Sequence, residues 1–328
     1  MKNKPLHIFI FLSVMASLPI SKALPQTKLA QTGFQFLSVG TDARASAMGE
    51  AFNTMEGVSS ALFYNPAGLA RMTSFLDVAV NHTGWIVDIN HYAFSLALNP
   101  KQGKYGVLGI SVMMVDYGEL QGTMVWGNSS GFIDTEIMNP SAMAIGLGYG
   151  RALTDRFSVG GQIKYVTQAF GKSVIPNEEV RKNIAGAIAF DFGTIYRTGF
   201  KSLAFGMSVR NFSKELKFEK EGFQLPLTFK IGVSINAFDF VKVDQDNHSL
   251  LVLLDASHPR SYPEHINLGG EYVYKKMFAL RLGYVSGQEE YGMTMGFGLK
   301  GFGLSANYSY TPFGVFQSVQ RFTICFSK

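Results

Sequence analysis

From residue 74 onward, apolar side chains recur at every second position in runs of about nine residues separated by breaks. The run 291–299 puts Tyr291, Met293, Met295, Phe297 and Leu299 on one face and Gly292, Thr294, Gly296 and Gly298 on the other. In 227–236, Leu227, Phe229, Ile231, Val233 and Ile235 alternate with Thr228, Lys230, Gly232, Ser234 and Asn236. The chain closes with Phe322, Ile324 and Phe326 against Arg321, Thr323 and Cys325. A soluble sandwich also alternates, but its outward face is charged and its inward face bulky. Here one face is bulky and the other small or polar, as in a wall with lipid outside and a wet or tightly filled lumen inside. Arg210, Glu271 beside Gly269, and Arg281 beside Gly283 all fall on the small face. A charge facing lipid at mid-membrane costs roughly 2–4 kcal/mol, so that face is the lumen.

Fourteen such segments are readable: 74–81, 89–98, 105–115, 141–151, 157–168, 184–196, 202–211, 227–238, 250–257, 265–274, 277–285, 291–299, 302–310 and 319–326. Connections after even-numbered segments are mostly tight, whereas those at 116–140, 169–183, 212–226 and 258–264 are longer and more polar. Short turns on one side and long loops on the other are the habit of an outer-membrane barrel. One connection, 239–249, is long where a short one is due, and 250–254 is an apolar run whose faces the pattern leaves unassigned. The expected fold is an all-β membrane protein: a 14-stranded antiparallel outer-membrane β-barrel over 74–328, closed by pairing the last strand with the first. An unclosed barrel would leave strand edges unpaired in lipid, at several kcal/mol per backbone bond. Phe322, Ile324 and Phe326 resemble the closing-strand signal read by the barrel assembly machinery, while Phe316 is placed in the preceding outer loop.

Composition fits this picture. Hydrophobic residues make up 47% and charged residues only 16%, with 35 Gly and 28 Phe, where a soluble domain carries about 25% charged residues. The net charge is +5, but Lys and Arg are scattered singly, so nucleic acid is not an expected partner. Lys2, Lys4, the apolar run 6–20 and Ser21-Lys22-Ala23 read as a secretory signal over 1–23, with the mature chain starting near Leu24. Cys325 is the only cysteine, so no internal disulfide is expected.

Residues 24–73 differ from the rest. The stretch 41–52 is rich in Ala, with Thr41 or Asp42 placed to cap a short helix. Asn65-Pro66 offers a second cap followed by proline at the first helical position. A segment this small needs a wall to pack against, and the expected element is a short N-terminal helical plug in the lumen. Asn65-Pro66 then either caps a helix and no more, or belongs to a plug that sets permeability.

The block Phe36, Leu37, Gly40, Ala43, Arg44, Ala45, Ala47, Met48, Gly49, Glu50 and Ala51, followed by Tyr64-Asn65-Pro66-Ala67-Gly68-Leu69, resembles the opening of the PorV/PorQ family of Bacteroidota-type outer-membrane proteins. The Asn-Pro-Ala element alone also resembles the hatch of FadL-type channels for hydrophobic compounds. The resemblance implies a FadL-like barrel in the cell outer membrane, with Asp42, Arg44, Asn65, Pro66 and Gly68 in the plug motif. It further implies binding of partner proteins or secreted cargo for type IX protein secretion. The alternative it leaves is uptake of hydrophobic small molecules. A transport barrel should show an apolar lumen pocket and a strand kink, sought at Asp116-Tyr117-Gly118; a shuttle should show large outer loops and little ligand space. Tyr117 and Trp126, in the loop 116–140, are candidate partner contacts, and Trp85 and Trp126 are otherwise read as an interfacial girdle.

No catalytic constellation emerges, and neither an enzyme nor a cofactor or metal is expected. Gly127-Asn128-Ser129-Ser130-Gly131 has nucleophile-elbow spacing but lies in a polar loop instead of between a strand and a helix. Gly296 to Gly301 ends a strand without opening a helix, unlike a dinucleotide fingerprint. His82, His91, His248, His258 and His265 form no ligand motif. Glu178-Glu179 and Glu289-Glu290 read as solvated loop tips.

Overall fold

The computed structural model describes residues 32–173, 181–217, 222–287 and 292–328. The signal segment 1–23, the start of the plug segment, Glu178-Glu179, Glu289-Glu290 and Tyr291 lie outside the described residues. In chain order the strands are β1 (Leu76–Gly84), β2 (Asn90–Leu98), β3 (Val107–Asp116), β4 (Leu120–Val125), β5 (Phe132–Met138) and β6 (Ser141–Ala152). Next come β7 (Phe157–Ser173), β8 (Arg181–Arg197), β9 (Ala204–Ser213), β10 (Leu216–Lys217), β11 (Gly222–Phe223) and β12 (Thr228–Asn236). The last six are β13 (His248–Pro259), β14 (His265–Tyr274), β15 (Phe278–Val285), β16 (Met293–Gly301), β17 (Leu304–Phe313) and β18 (Phe316–Ser327).

Leaving out β4, β5, β10 and β11, the strands form one closed antiparallel barrel of fourteen, in chain order, with β18 returning to β1. Every expected segment is a barrel strand. The closing register sets Val78 opposite Phe326, Val80 opposite Ile324 and His82 opposite Phe322. Leu76 and Lys328 exchange two backbone hydrogen bonds of 2.9 Å, so the seam is paired to its end. The outward belt is bulky and exposed, as with Phe278, Leu280, Leu282 and Tyr284 of β15, whose Ala279, Arg281 and Val285 are buried on the lumen side.

One open assignment is settled and two sequence expectations change. Leu253 turns inward and Leu254 outward, but the start of β13 is half-buried on both faces. The reason is the long connection before it. Its 3-10 turn (Ala237–Phe240) packs on β13, and Phe238 stands edge-on to Tyr272 at 6.4 Å. The outer loop 116–140 carries the β4–β5 ribbon, exposed on both faces and therefore without a clean alternation; Ser129 lies in its tip. Phe316 opens β18, paired with Phe313, instead of lying in a loop.

Residues 32–75 run through the lumen. Gly33 N donates to Gln224 O (3.1 Å) among the long loops, and Asn99 N donates to Phe75 O (2.9 Å) among the short turns. Short turns mark the periplasmic rim, so the segment descends from the outer mouth to that rim. Helix α1 (Ala43–Ala47) begins where the Asp42 carboxylate accepts from Ala45 N at 3.0 Å. The segment opened by Asn65-Pro66 is a 3-10 helix (Pro66–Arg71), with Asn65 Oδ1 accepting from Ala67 N at 3.1 Å. Leu62, Leu69 and Met72 pack with Ala97 and Val107 in the periplasmic half.

The glycines of the small face mark where this segment touches the wall. A Cβ at Gly160 would overlap the backbone of Pro66 and Ala67, and one at Gly283 the backbone of Met48 and Gly49. In this half the lumen is filled with protein.

Candidate functional site

The outer half of the lumen is not filled. It holds a cavity of about 440 Å³ whose floor is the stretch 35–41 with Glu50, Phe63 and Tyr64, and whose walls are the outer ends of the strands. Seven Phe, Tyr and Trp rings line it: Phe36, Phe63, Tyr64, Trp85, Tyr117, Tyr262 and Phe313. Trp85 stands edge-on to Phe313 at 5.4 Å and has the Arg321 guanidinium 5.5 Å above its ring. It thus turns into the lumen and does not join a lipid-facing girdle. Trp126 is exposed near the tip of the β4–β5 ribbon.

Tyr117 also departs from its expected place. The Asp116 carboxylate accepts from Gly118 N at 2.9 Å and Gly118 takes a φ of 74, so the chain turns just after β3. That turn leaves Tyr117 half-buried on the cavity wall, where Gln168 Nε2 donates to its hydroxyl at 3.4 Å. No kink sits at 116–118 within the ladder, since β3 keeps its register with β2 and β6 through Asp116.

The ladder is broken between β8 and β9 instead. Phe190 pairs with Phe212 and Phe192 with Val209, so a single residue, Asp191, opposes both Arg210 and Asn211. Asn211 has a φ of 62, and its N–H donates to Asp191 Oδ1 at 2.7 Å. Lys164 Nζ lies 2.7 Å from both Asp191 Oδ2 and Asn211 Oδ1, all three residues buried. Lys164 and Asp191 were not singled out from the sequence. The available signal was the same as for Arg210: a charge on the small face of a strand.

Charged groups tie the plug to the wall. Arg44 donates twice to Glu271, at 2.8 and 2.6 Å, and Arg281 Nε donates to the same carboxylate at 2.6 Å. Phe52 N and Asn53 N both donate to Asp255 Oδ2 at 3.0 Å. Asn65, fully buried, donates from Nδ2 to the carbonyls of Asn53 (2.7 Å), Thr194 (3.2 Å) and Met207 (3.4 Å). At the periplasmic rim Glu56 pairs with Arg197 at 2.5 Å and Arg71 at 3.4 Å. Of the motif residues, Asp42 and Asn65 are therefore caps, Asn65 and Arg44 are wall contacts, and Pro66 and Gly68 allow close approach. A Cβ at Gly68 would overlap the carbonyl of Met55.

The cavity lining carries three cations, Arg210, Lys230 and Arg321, and one carboxylate, Glu50. Lys230 Nζ donates to Glu50 O at 3.2 Å, and Arg321 donates to Gly40 O at 2.8 Å and to Thr311 Oγ1 at 3.2 Å. Arg210 donates to Leu37 O at 3.4 Å and stacks 5.9 Å from the Tyr64 ring centre. Burial pushes the Tyr64 phenol well above its ordinary range, keeping it protonated. A second cavity of only about 10 Å³ shares Leu37, Phe63, Met113 and Arg210 with the first and reaches Gln162 and Lys164 on β7.

No family model and no curated protein matches the sequence. Solved structures do match the fold. The CymD monoaromatic hydrocarbon channel superposes with a TM-score of 0.59 and 12% identity, over 88% of this chain and 98% of that one. The Pseudomonas putida toluene transporter TodX gives 0.58 and 11%, over 92% and 98%. A Pseudomonas aeruginosa FadL homologue gives 0.55 and 11%, over 88% and 99%. The expectation of a type IX secretion barrel that binds partners or cargo is corrected by these findings: two of the superposed barrels are a hydrocarbon channel and a toluene transporter, and the outer lumen keeps a ligand-sized space. The chain has the fold of these FadL-like barrels, fourteen strands closed on themselves with a bulky apolar belt turned outward as lipid requires.

Proposed function

We propose that this protein is an outer-membrane channel for the uptake of hydrophobic small molecules, with the aromatic cavity above the plug as its binding site. The observation that carries the proposal is that cavity, about 440 Å³ in volume and lined by seven Phe, Tyr and Trp rings, within the roughly 300–1,000 Å³ of small-molecule sites. The named substrates of the superposed channels, monoaromatic hydrocarbons and toluene, are of the size and apolarity that such a cavity accepts.

A ligand entering between the long loops leaves water for the ring-lined wall, gaining about 25 cal/mol per Å² of apolar surface covered. Below it the plug is held by Asn65, by the Arg44–Glu271–Arg281 cluster and by Glu56 at the rim. Straight descent would break all three. The small cavity offers another direction, past Leu37 and Phe63 to the wall beside the Asp191 bulge. Widening there would release an apolar ligand into the membrane.

The division into a signal (1–23), a plug (24–73) and a barrel (74–328) belongs to the same reading. So do two partners, outer-membrane lipid around the bulky belt and the barrel assembly machinery acting on β18. The PorV/PorQ-like motif blocks are read as a plug signature and as the ground for a Bacteroidota-like source. The test is uptake into proteoliposomes. Radiolabelled toluene should enter protein-containing vesicles several-fold faster than protein-free ones, while a disaccharide should not. Equal toluene entry into both would sink the proposal.

A further inference from the structure

We infer that the cavity selects a ligand joining an aromatic body to one anionic group, an aromatic carboxylate, seated at Arg210 beside Tyr64. The inference rests on the channel reading above and narrows its substrate class.

The first ground is the pairing of the cations. Arg44, Arg281, Arg71, Arg197 and Lys164 each have a carboxylate within 4 Å. Arg210 has none among the described residues. Its hydrogen bond to Leu37 O is 3.4 Å long, beyond the ordinary range for a group with five donors. A half-buried guanidinium whose Nε is buried without a partner and that has no anion beside it is costly to maintain. It is also well shaped to receive a carboxylate.

The second ground is a concentration of buried polar atoms with no hydrogen-bond partner among the described residues. Tyr64 Oη and Arg210 Nε are two of them, together with His91 Nδ1, Ser257 Oγ, His265 Nδ1 and Asn267 Oδ1. All six residues line the same cavity. Folded proteins leave few buried polar groups unsatisfied, and a bare hydrocarbon would satisfy none of these. A carboxylate has lone pairs for both a phenol and a guanidinium, and Tyr64 remains a donor at physiological pH.

The third ground is the remaining lining. Phe36, Phe63, Trp85, Tyr117 and Phe313 supply ring faces and edges, which pair with a flat aromatic ligand in offset or edge-on geometry. Glu50, the one carboxylate of the lining, already accepts from Ser46 Oγ. The cationic surplus therefore stands on the wall that meets the ligand.

The experiment compares 2-naphthoate, 2-methylnaphthalene and decanoate on the purified full-length protein in detergent, by calorimetry and naphthalene fluorescence. The expected result is naphthoate binding at least about tenfold tighter than that of methylnaphthalene or decanoate. Arg210→Gln should remove that preference. Tyr64→Phe should weaken naphthoate binding several-fold without lowering the unfolding temperature, because the lost hydroxyl has no protein partner to abandon. Arg151→Gln, on an exposed side chain of β6, serves as the control and should change nothing. Equal affinity for naphthoate and methylnaphthalene, or undiminished naphthoate binding by Arg210→Gln, would overturn the anion seat and leave the channel reading standing. Decanoate binding as tightly as naphthoate would overturn the aromatic half. Failure of every probe to bind would overturn the channel reading and this inference with it.

Discussion

Oδ1 of Asn65 occupies the place where a Cβ on Gly193 would stand. One residue is the cap of a 3-10 helix in the plug and the other a position on the lumen face of β8, 128 residues later. Their fit explains why glycine recurs on the small faces of the strands. The wall is stripped of side chains where plug backbone and short polar side chains press against it.

Gly193→Ala should therefore loosen the plug and leave the barrel standing. Overpacking of this kind costs about 1–3 kcal/mol, which falls on Asn65 and its three carbonyl contacts. We expect normal heat-modifiable migration together with faster entry of a disaccharide into proteoliposomes. Gly301→Ala is the control, since a Cβ there meets nothing within 4 Å. Disaccharide entry at the control rate in Gly193→Ala would show that Asn65 does not hold the plug.

The barrel was legible in the sequence because lipid imposes a period of two and forbids charge on one face. Phe322, Ile324 and Phe326 could be placed on one face, and the segment 74–81 named as the strand they close against, but the register that sets them opposite His82, Val80 and Val78 could not. The start of β13 was illegible because the 237–240 turn covers its outer face and removes the contrast. Asp42 and Asn65 were readable as caps since capping is a local matter. Their wall partners were not: Asn65 meets Thr194 and Met207, and Arg44 meets Glu271, at separations of over a hundred residues. The cavity was least legible, because Tyr64, Arg210 and Arg321 come from the plug, β9 and β18 and share a site only once the barrel is closed.

Glu271 accepts from two guanidiniums while almost fully buried. Glu271→Gln keeps the volume but leaves Arg44 and Arg281 facing each other without an anion. Removing one member of a buried pair costs about 3–5 kcal/mol. Urea unfolding in lipid vesicles should register a loss of that order. A loss under about 1 kcal/mol would mean that water or another carboxylate compensates the pair.

If ligand leaves beside Asp191, pinning β8 to β9 there should stop it. Phe190 and Phe212 are directly opposed, and opposed antiparallel residues have Cα atoms about 4.5–5.5 Å apart, within disulfide reach. In a Cys325→Ser background, oxidised Phe190→Cys/Phe212→Cys should take up toluene several-fold more slowly and recover on reduction. Tyr196→Cys/Phe205→Cys, opposed near the periplasmic end of the same strands, should be indifferent to oxidation. Uptake by the upper pair that ignores its redox state would place the exit elsewhere.

The closing strand should matter most during assembly. Phe326 is exposed on the lipid face of β18, paired with Val78 across the seam and with Leu304 on the other side. Until β1 and β18 meet, both edges are unpaired, and in lipid each open backbone bond costs several kcal/mol. Phe326→Ala removes a ring from that seam and from the motif read as the assembly signal, without touching the lumen. Val315 is an even more exposed hydrophobic residue but sits in the β17–β18 turn at the outer rim. We expect Phe326→Ala to lower the amount of folded barrel recovered from the outer membrane several-fold, and Val315→Ala to leave it near the wild-type level. Once folded, the two variants should unfold at similar urea concentrations, because the deficit lies in reaching the closed state. Equal recovery of folded barrel would remove any special role for this strand in assembly.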